Sequence, residues 1–326
     1  MRKINGVPVE AHTDLSSLTG GEVLKWDSTN TLMAWEDQDS TGFVPVSWYG
    51  GRGVFCGSDP GNNVMQYITI ASTGNATDFG DMTKERKRCG GTSNGTRGIV
   101  AGDIGTGGNG DIDYFTIASA GNASYFGDLT DDRDRLNSAC SDGTRAVLHP
   151  GYHTGYGDTM DYITISTTGN ATAFGTGQPS SFNNAGWNDS TRGILANGQV
   201  AAGTGNTNNI SYYTIQTTGN ATDFGDTASA HQNRSGSGDT TRMVISGQGS
   251  NIDYITIQTT SNSTNFGNLS SGRNGTGSCS NATRGLWAGG SSTNIIDYVT
   301  IQTTGNATDF GDLLTTYYGT SGLSGN

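Results

Sequence analysis

Positive charge is scarce in this chain: of 326 residues only 17 are Lys or Arg, against 29 Asp or Glu, giving a formal net charge of −12. Nucleic-acid binding needs a cationic surface that neutralises phosphates, so DNA and RNA are not expected partners. Proline is sparser still, at five residues, and the 52 glycines show no Gly-X-Y period, which removes collagen-like and proline-rich extended architectures. No run of about 18 apolar residues occurs, so no membrane insertion by a helix is expected. The N-terminal "MRKINGVPVEAHTDLSS" lacks the apolar centre of a signal peptide. The expectation is a soluble chain that does not take the conventional secretory route. The Asn-X-Ser/Thr sequons, including the "GNAT" series, are therefore read as turn chemistry rather than as glycan acceptors.

Cysteine and histidine are also too few, and too scattered, for most metal or redox chemistry. Cys140 and Cys279 each stand five residues before an arginine, Arg145 and Arg284, so they hold the same slot in different repeats. Equivalent slots in separate units lie too far apart to bridge. With Cys56 and Cys89, they read as small buried residues rather than disulfides or ligands. The four histidines, His12, His149, His153 and His231, fall in distant segments, which argues against a copper oxidase site, because copper needs converging imidazoles.

What the chain has in abundance is one sentence repeated. "YVTIQTTGNATDFGD" at Tyr298 recurs with small changes at Tyr67, Tyr114, Tyr162, Tyr213 and Tyr254, and successive tyrosines stand 47, 48, 51, 41 and 44 residues apart. That period is the spacing of propeller blades. Within each copy a Gly-Asn pair between two β-rich runs predicts a tight hairpin with a two-residue loop. Upstream, a run such as "TRGLWAGG", a turn cluster "SNA" and a short "GTGSCS" supply two more strands, four per repeat. Apolar residues fall on both faces of these strands, as Val299 and Ile301 do against Tyr298, which suits a sheet covered on both sides. The fold class expected is therefore all-β, a six-bladed β-propeller of four-stranded antiparallel blades over residues 48–326. "GRGVFCGS" (51–58) reads as a second strand lacking a first, and "TTYYGTSGLSGN" (315–326) as a first strand lacking a second. The N- and C-terminal strands should therefore pair and close the ring.

The order of glycines, tyrosine, a later aromatic and an arginine before the next strand resembles the kelch repeat, with phenylalanine (Phe79, Phe126, Phe174, Phe224, Phe266, Phe310) where kelch has tryptophan. The resemblance implies a propeller with loops on two faces. One face collects the near-invariant Gly-Asn and Ser-Asp/Asn-Gly-Thr-Arg turns; the other collects the irregular segments, where binding is expected. The richest is "HPGYHTGYGDTM" (149–160), so His149, Tyr152, His153, Tyr156 and Asp158 are the candidate ligand-binding residues, suited to stacking on and hydrogen bonding with sugars.

Catalysis is not expected. Arg97, Arg145, Arg192, Arg242 and Arg284 recur once per repeat in one context, whereas a sialidase-like site needs unequal, convergent roles. They are expected to bond turns or the Asp of "FGD". No cofactor is expected either, beyond a weak Ca²⁺ alternative at "GGNGDID" (107–113) or "DLTDDRD" (128–134).

Residues 1–47 break the period. "EVLKWD" (22–27) and "LMAWED" (32–37) predict a hairpin whose Leu24, Trp26, Met33 and Trp35 form an anchor, since an isolated hairpin is marginal in water. The segment resembles the "DLSDL…GQVLxW…W" stretches near the N-termini of phage tail-fibre and related virion proteins, and the repeats are similar to those of marine and cyanobacterial phage virion proteins. That resemblance implies a structural protein, made in the host cytoplasm, carried in multiple copies on the particle surface and docked to other virion proteins through residues 1–47. It would adhere to host-surface glycan or decorate the capsid or tail. The alternatives are a glycan-cleaving propeller enzyme and an intracellular kelch-type scaffold.

Overall fold

The computed structural model describes residues 49–102, 110–133, 135–153, 155–200, 205–291 and 293–326, with the backbone alone at 153, 155 and 156, and the backbone of four short strands before residue 49. The chain divides into two units, Met1–Val46 and Ser47–Asn326. In the first, Lys3–Ile4 pairs with Val7–Pro8, and Glu22–Asp27 pairs antiparallel with Leu32–Asp37, placing Leu24 opposite Trp35 and Trp26 opposite Met33. The side chains of that predicted anchor lie outside the described residues.

The second unit is six four-stranded antiparallel sheets. Blade 2 runs from Gly90–Ser93 through Arg97–Ala101 and Asp111–Thr116 to Ser124–Asp128. Blade 3 has Ala139–Ser141, Arg145–Leu148, Thr159–Thr164 and Thr172–Thr176. Blade 4 has Ala185–Asn188, Arg192–Ala196, Thr207–Thr214 and Thr222–His231. Blade 5 has Ser235–Gly238, Arg242–Ser246, Asn251–Thr256 and Thr264–Asn268. Blade 6 has Gly277–Ser280, Arg284–Ala288, Thr293–Thr300 and Thr308–Tyr317. Blade 1 is built from both ends of the unit: Ser321–Gly325 is its first strand, followed by Arg52–Cys56, Asn62–Thr69 and Thr77–Arg86. Each first strand neighbours the first strands of the adjacent blades, in a closed cycle. This is a six-bladed β-propeller, with the ends paired as the half-repeats required. The C-terminal stretch is divided, however: Thr315 to Tyr317 complete the outer strand of blade 6, and only Ser321–Gly325 crosses to blade 1.

Second strands such as RGVFC and RGLWA are buried at every residue after the arginine, because each blade packs a neighbour on both faces. The core is accordingly a series of inter-blade layers. Phe55, Ile68 and Ile70 of blade 1, for instance, pack on Leu286, Ile296 and Phe310 of blade 6.

The Gly-Asn pair is not the hairpin turn that its composition predicts. In blade 1, Tyr67 pairs with Thr77 and the connection spans residues 70–76, so Gly74 and Asn75 sit on its returning limb. There they bond to the neighbouring blade. Asn75 Oδ1 accepts from the Asp312 N–H at 3.1 Å, and Gly74 N–H donates to Phe310 O at 2.8 Å. The same asparagine contact recurs at Asn122 on Asp81, Asn170 on Asp128, Asn220 on Thr176, Asn262 on Asp226 and Asn306 on Asn268, at 3.0–3.1 Å. The repeated "GNATDFGD" is therefore both halves of one joint: the Gly-Asn half of each blade docks on the Phe-Gly-Asp half of the blade before it.

The repeated arginines form a second joint. Each lies over the tyrosine of its own blade, 4.3–4.6 Å from the ring centroid, and that tyrosine meets the phenylalanine edge-on at 6.0–6.2 Å. Its guanidinium donates to an isoleucine carbonyl of the next blade, as Arg52 does to Ile117 O at 2.8 Å and Arg284 to Ile70 O at 3.1 Å. The Asp of "FGD" is not the partner. In blade 4 the ring under Arg192 is Tyr212, so the sequence alignment on Tyr213 is one residue out of phase.

Candidate functional site

The alternation of strand directions places the Gly-Asn connections and the Asx turns on one face, where both serve the frame. Asp142 Oδ1, for example, accepts from the N–H groups of Thr144 and Arg145 at 2.8 and 2.7 Å. The opposite face carries the irregular loops and is the candidate site.

At the axis of that face the six segments joining one blade to the next form a closed ring of main-chain bonds. Arg88 N donates to Gly319 O, Asn137 N to Arg88 O, Asn183 N to Arg135 O, Asn233 N to Asn183 O, Gly275 N to Asn233 O and Gly319 N to Gly275 O, at 2.7–3.3 Å. Every residue in the ring has left-handed backbone, with φ from +54° at Arg88 to +69° at Gly275. Asparagine and glycine tolerate this conformation readily; arginine does so rarely. Arg88 and Arg135 nonetheless hold it, and each lies over an aromatic ring. Arg88 covers Tyr318 at 5.0 Å, while Arg135 covers Tyr152 at 5.1 Å and Phe182 at 5.6 Å. Tyr152 and Phe182 meet edge-on at 5.3 Å. Arg135 and Phe182 carry no signal in the repeat pattern, because they lie between the periodic strands.

Tyr152 thus belongs to an aromatic and cationic cluster on the variable face. A small hairpin, Tyr152–His153 with Gly155–Tyr156, carries the loop, and the side chains of His153 and Tyr156 lie outside the described residues. Asp158 is half-buried and borders a cleft between blades 3 and 4. His149 is not on the loop surface: it is fully buried. Its Nδ1 is 2.8 Å from Ser138 Oγ and its Nε2 is 2.7 Å from Tyr213 OH, bridging blades 3 and 4. Burial pushes the imidazole down from 6.5 to about 3, so it is neutral across the physiological range. It occupies the place after a second strand where four other blades have glycine (Gly57, Gly102, Gly247, Gly289) and blade 4 has Asn197, and it faces a tyrosine where they have Ile, Phe or Val. Nothing in the local sequence distinguishes it from the loop histidine four residues on.

The axial channel is nearly filled. Hydroxyls of the first strands reach across to neighbouring carbonyls, Ser93 to Ser324 O at 2.6 Å, Ser324 to Ser280 O at 2.6 Å and Ser280 to Gly238 O at 2.5 Å, leaving a cavity of about 40 Å³. The four cysteines are free and buried, and burial pushes the Cys140 thiol up to about 12, so it is an unreactive thiol.

Among the described residues no three His, Cys, Asp or Glu side chains stand together as metal ligands. Of the Ca²⁺ segments, Arg133 of "DLTDDRD" is buried against Asp161 and Asp132 Oδ1 accepts from Gly110 N–H at 3.0 Å. In "GGNGDID", residues 107–109 lie outside the described residues and Asp113 pairs with Arg86 at 3.0 Å. No helix of the described residues is long and apolar enough to cross a membrane.

No family model matches the chain, and comparison with curated proteins finds no relative. Fold and face together define the class: a closed, six-bladed β-propeller with one face committed to joining its blades and the other built of unlike loops.

Proposed function

We propose that this chain is a non-enzymatic phage virion protein, attached to the particle through residues 1–47 and displaying the propeller for adhesion to host-surface glycan or for decoration. The asymmetry of the two faces carries the reading. The repeat face is uniform because each of its turns is committed to the frame, whereas the half-buried Tyr152, Arg135, Arg88 and Tyr318, the first two packed on the buried Phe182, give the variable face aromatic and cationic features of the kind that sugar recognition uses. The likeness of the leader and of the "TTGNATDFGDL" repeats to phage virion proteins, and of the blade order to kelch units, supports the particle as the setting. Multiple copies per particle would turn weak single contacts into firm attachment.

Immunogold labelling of intact particles from the source, in parallel with the full chain on a glycan array, tests this. Label on the tail with glycan signal is expected for an adhesin, and label over the capsid without glycan signal for a decoration protein. Particles without label would sink the reading and restore a cellular scaffold or an enzyme.

A further inference from the structure

Among the described residues a buried arginine–aspartate pair seals four of the six blade interfaces, and at the other two that pair is missing. Between blades 1 and 2 the pair is Arg86 with Asp113, between 2 and 3 Arg133 with Asp161, between 4 and 5 Arg234 with Asp253, and between 5 and 6 Arg273 with Asp297. Between blades 6 and 1, Gln66 replaces the aspartate and accepts from Leu314 N–H at 2.6 Å. Between 3 and 4 the position of the aspartate is Ser211. Three residues after the motif phenylalanine, where the other blades bury Met82, Leu129, Thr227, Leu269 or Leu313, blade 3 has a buried Gly177 with the Pro150 ring packed where a side chain would start, 2.8 Å from a Cβ built there. The outer strand of blade 3 stops at Thr176, as those of blades 2 and 5 stop at Asp128 and Asn268, whereas that of blade 4 runs to His231.

A cleft of about 490 Å³ opens there, lined by Asp158, Thr176, Gln178, Ser180, Asn209 and Asp223 together with Gly177 and Pro179. Its polar groups are partly ordered and partly unmet. Asn209 Nδ2 donates to Asp223 Oδ1 at 2.9 Å, while Asn209 Oδ1 is buried without a partner. Ser211, register-paired with Asp223, is 1% exposed and its hydroxyl is also unpartnered. Neither of these two atoms opens onto the cleft, so the polar surface offered to an occupant is that of the lining carboxylates, amides and hydroxyls.

We propose that this cleft binds a neutral hexose unit of a glycan. The proposal deepens the reading of the propeller as a glycan-binding display protein and rests on it. Two carboxylates accept from pairs of sugar hydroxyls, amides and hydroxyls both donate and accept, and Pro179 offers an apolar edge to ring C–H groups. No Lys or Arg lines the cleft, and the chain carries a net charge of −12, so carboxylated or sulfated sugars are repelled. The cleft is of the size that small ligands occupy.

The test uses the full chain, first on an array holding neutral and acidic glycans and then by titration with free neutral hexoses followed by ligand-observed NMR. Asp223→Asn and Asp158→Asn are compared with the parent, and melting of each variant confirms folding. Signal on neutral glycans that weakens about tenfold or more in Asp223→Asn, at an unchanged melting temperature, is expected from the loss of a charged acceptor. Glycan binding that both variants keep in full would overturn the pocket and leave adhesion standing elsewhere on the face. A silent array with labelled particles would overturn the pocket and leave decoration. A silent array with unlabelled particles would remove the function reading itself. Calcium titration of chelator-treated protein is the remaining arm: Ca²⁺ bound and lost in the two variants, with no sugar bound, would make the cleft a cation site instead.

Discussion

Two glycines of one motif show how differently a single residue type can matter. A Cβ at Gly311, whose φ is +148°, would stand 2.4 Å from Gly74 O across the joint that closes the ring, whereas one at Gly121 would meet nothing within 4 Å. Gly311→Ala is expected to lower stability by about 2–4 kcal/mol, and Gly121→Ala to change it by less than about 0.5 kcal/mol, both measured by denaturant unfolding. His149 offers a second residue-scale test. Its pKa is lower in the folded chain, about 3 against 6.5, so the unfolded chain takes up the proton first as pH falls. The contribution is complete above pH 6.5 and shrinks progressively toward pH 3. Acidification from pH 7 to 5 should destabilise the parent by about 2 kcal/mol more than His149→Gln; an equal loss in both would show that the buried imidazole is not the titrating group.

Among elements, the joints between blades are of two kinds. The ring of arginines has equivalent members, so each Arg, with its tyrosine face and its carbonyl, is one sixth of a collective contact. The buried pairs are different, since Arg273 and Asp297 are each within 1% of full burial and cannot lose a partner cheaply. Asp297→Ala is expected to lower stability by about 3–5 kcal/mol by leaving Arg273 buried and uncompensated. Replacing both residues, Arg273→Met with Asp297→Leu, should recover most of that loss, as a double-mutant cycle would read. The interface between blades 3 and 4 does without the ion pair altogether, with Ser181 and Ser211 at the corresponding positions, and there the two blades part into a cleft.

For the molecule as a whole, closure couples the two ends of the propeller. Ser321–Gly325 pairs residue for residue with Arg52–Cys56, and Asn326 Oδ1 accepts from Gly51 N–H at 2.7 Å. Deleting Thr315 to Asn326 removes the inner strand of blade 1 and the end of the outer strand of blade 6. The melting temperature should fall by more than about 10 °C. A deletion variant that melts like the parent would show that the ring does not depend on its last strand.

The period, the blade count, four strands per blade and the pairing of the ends were legible in the amino-acid sequence, because each repeat meets the same physical demands and answers them with the same residues. The role of those residues was less so. Gly74 and Asn75 have turn composition, but their partners, Phe310 and Asp312, lie more than 230 positions away, and no local pattern carries such a distance. The same blindness shifted blade 4 by one residue onto Tyr213, put His149 on a surface loop and left Arg135 and Phe182 unnoticed beside Tyr152. Repetition determines which positions are frame; only the closed ring decides which of the remaining positions face one another. Inter-blade contacts form between segments that the chain separates by a whole blade, and the cleft between blades 3 and 4 exists where two such segments fail to meet.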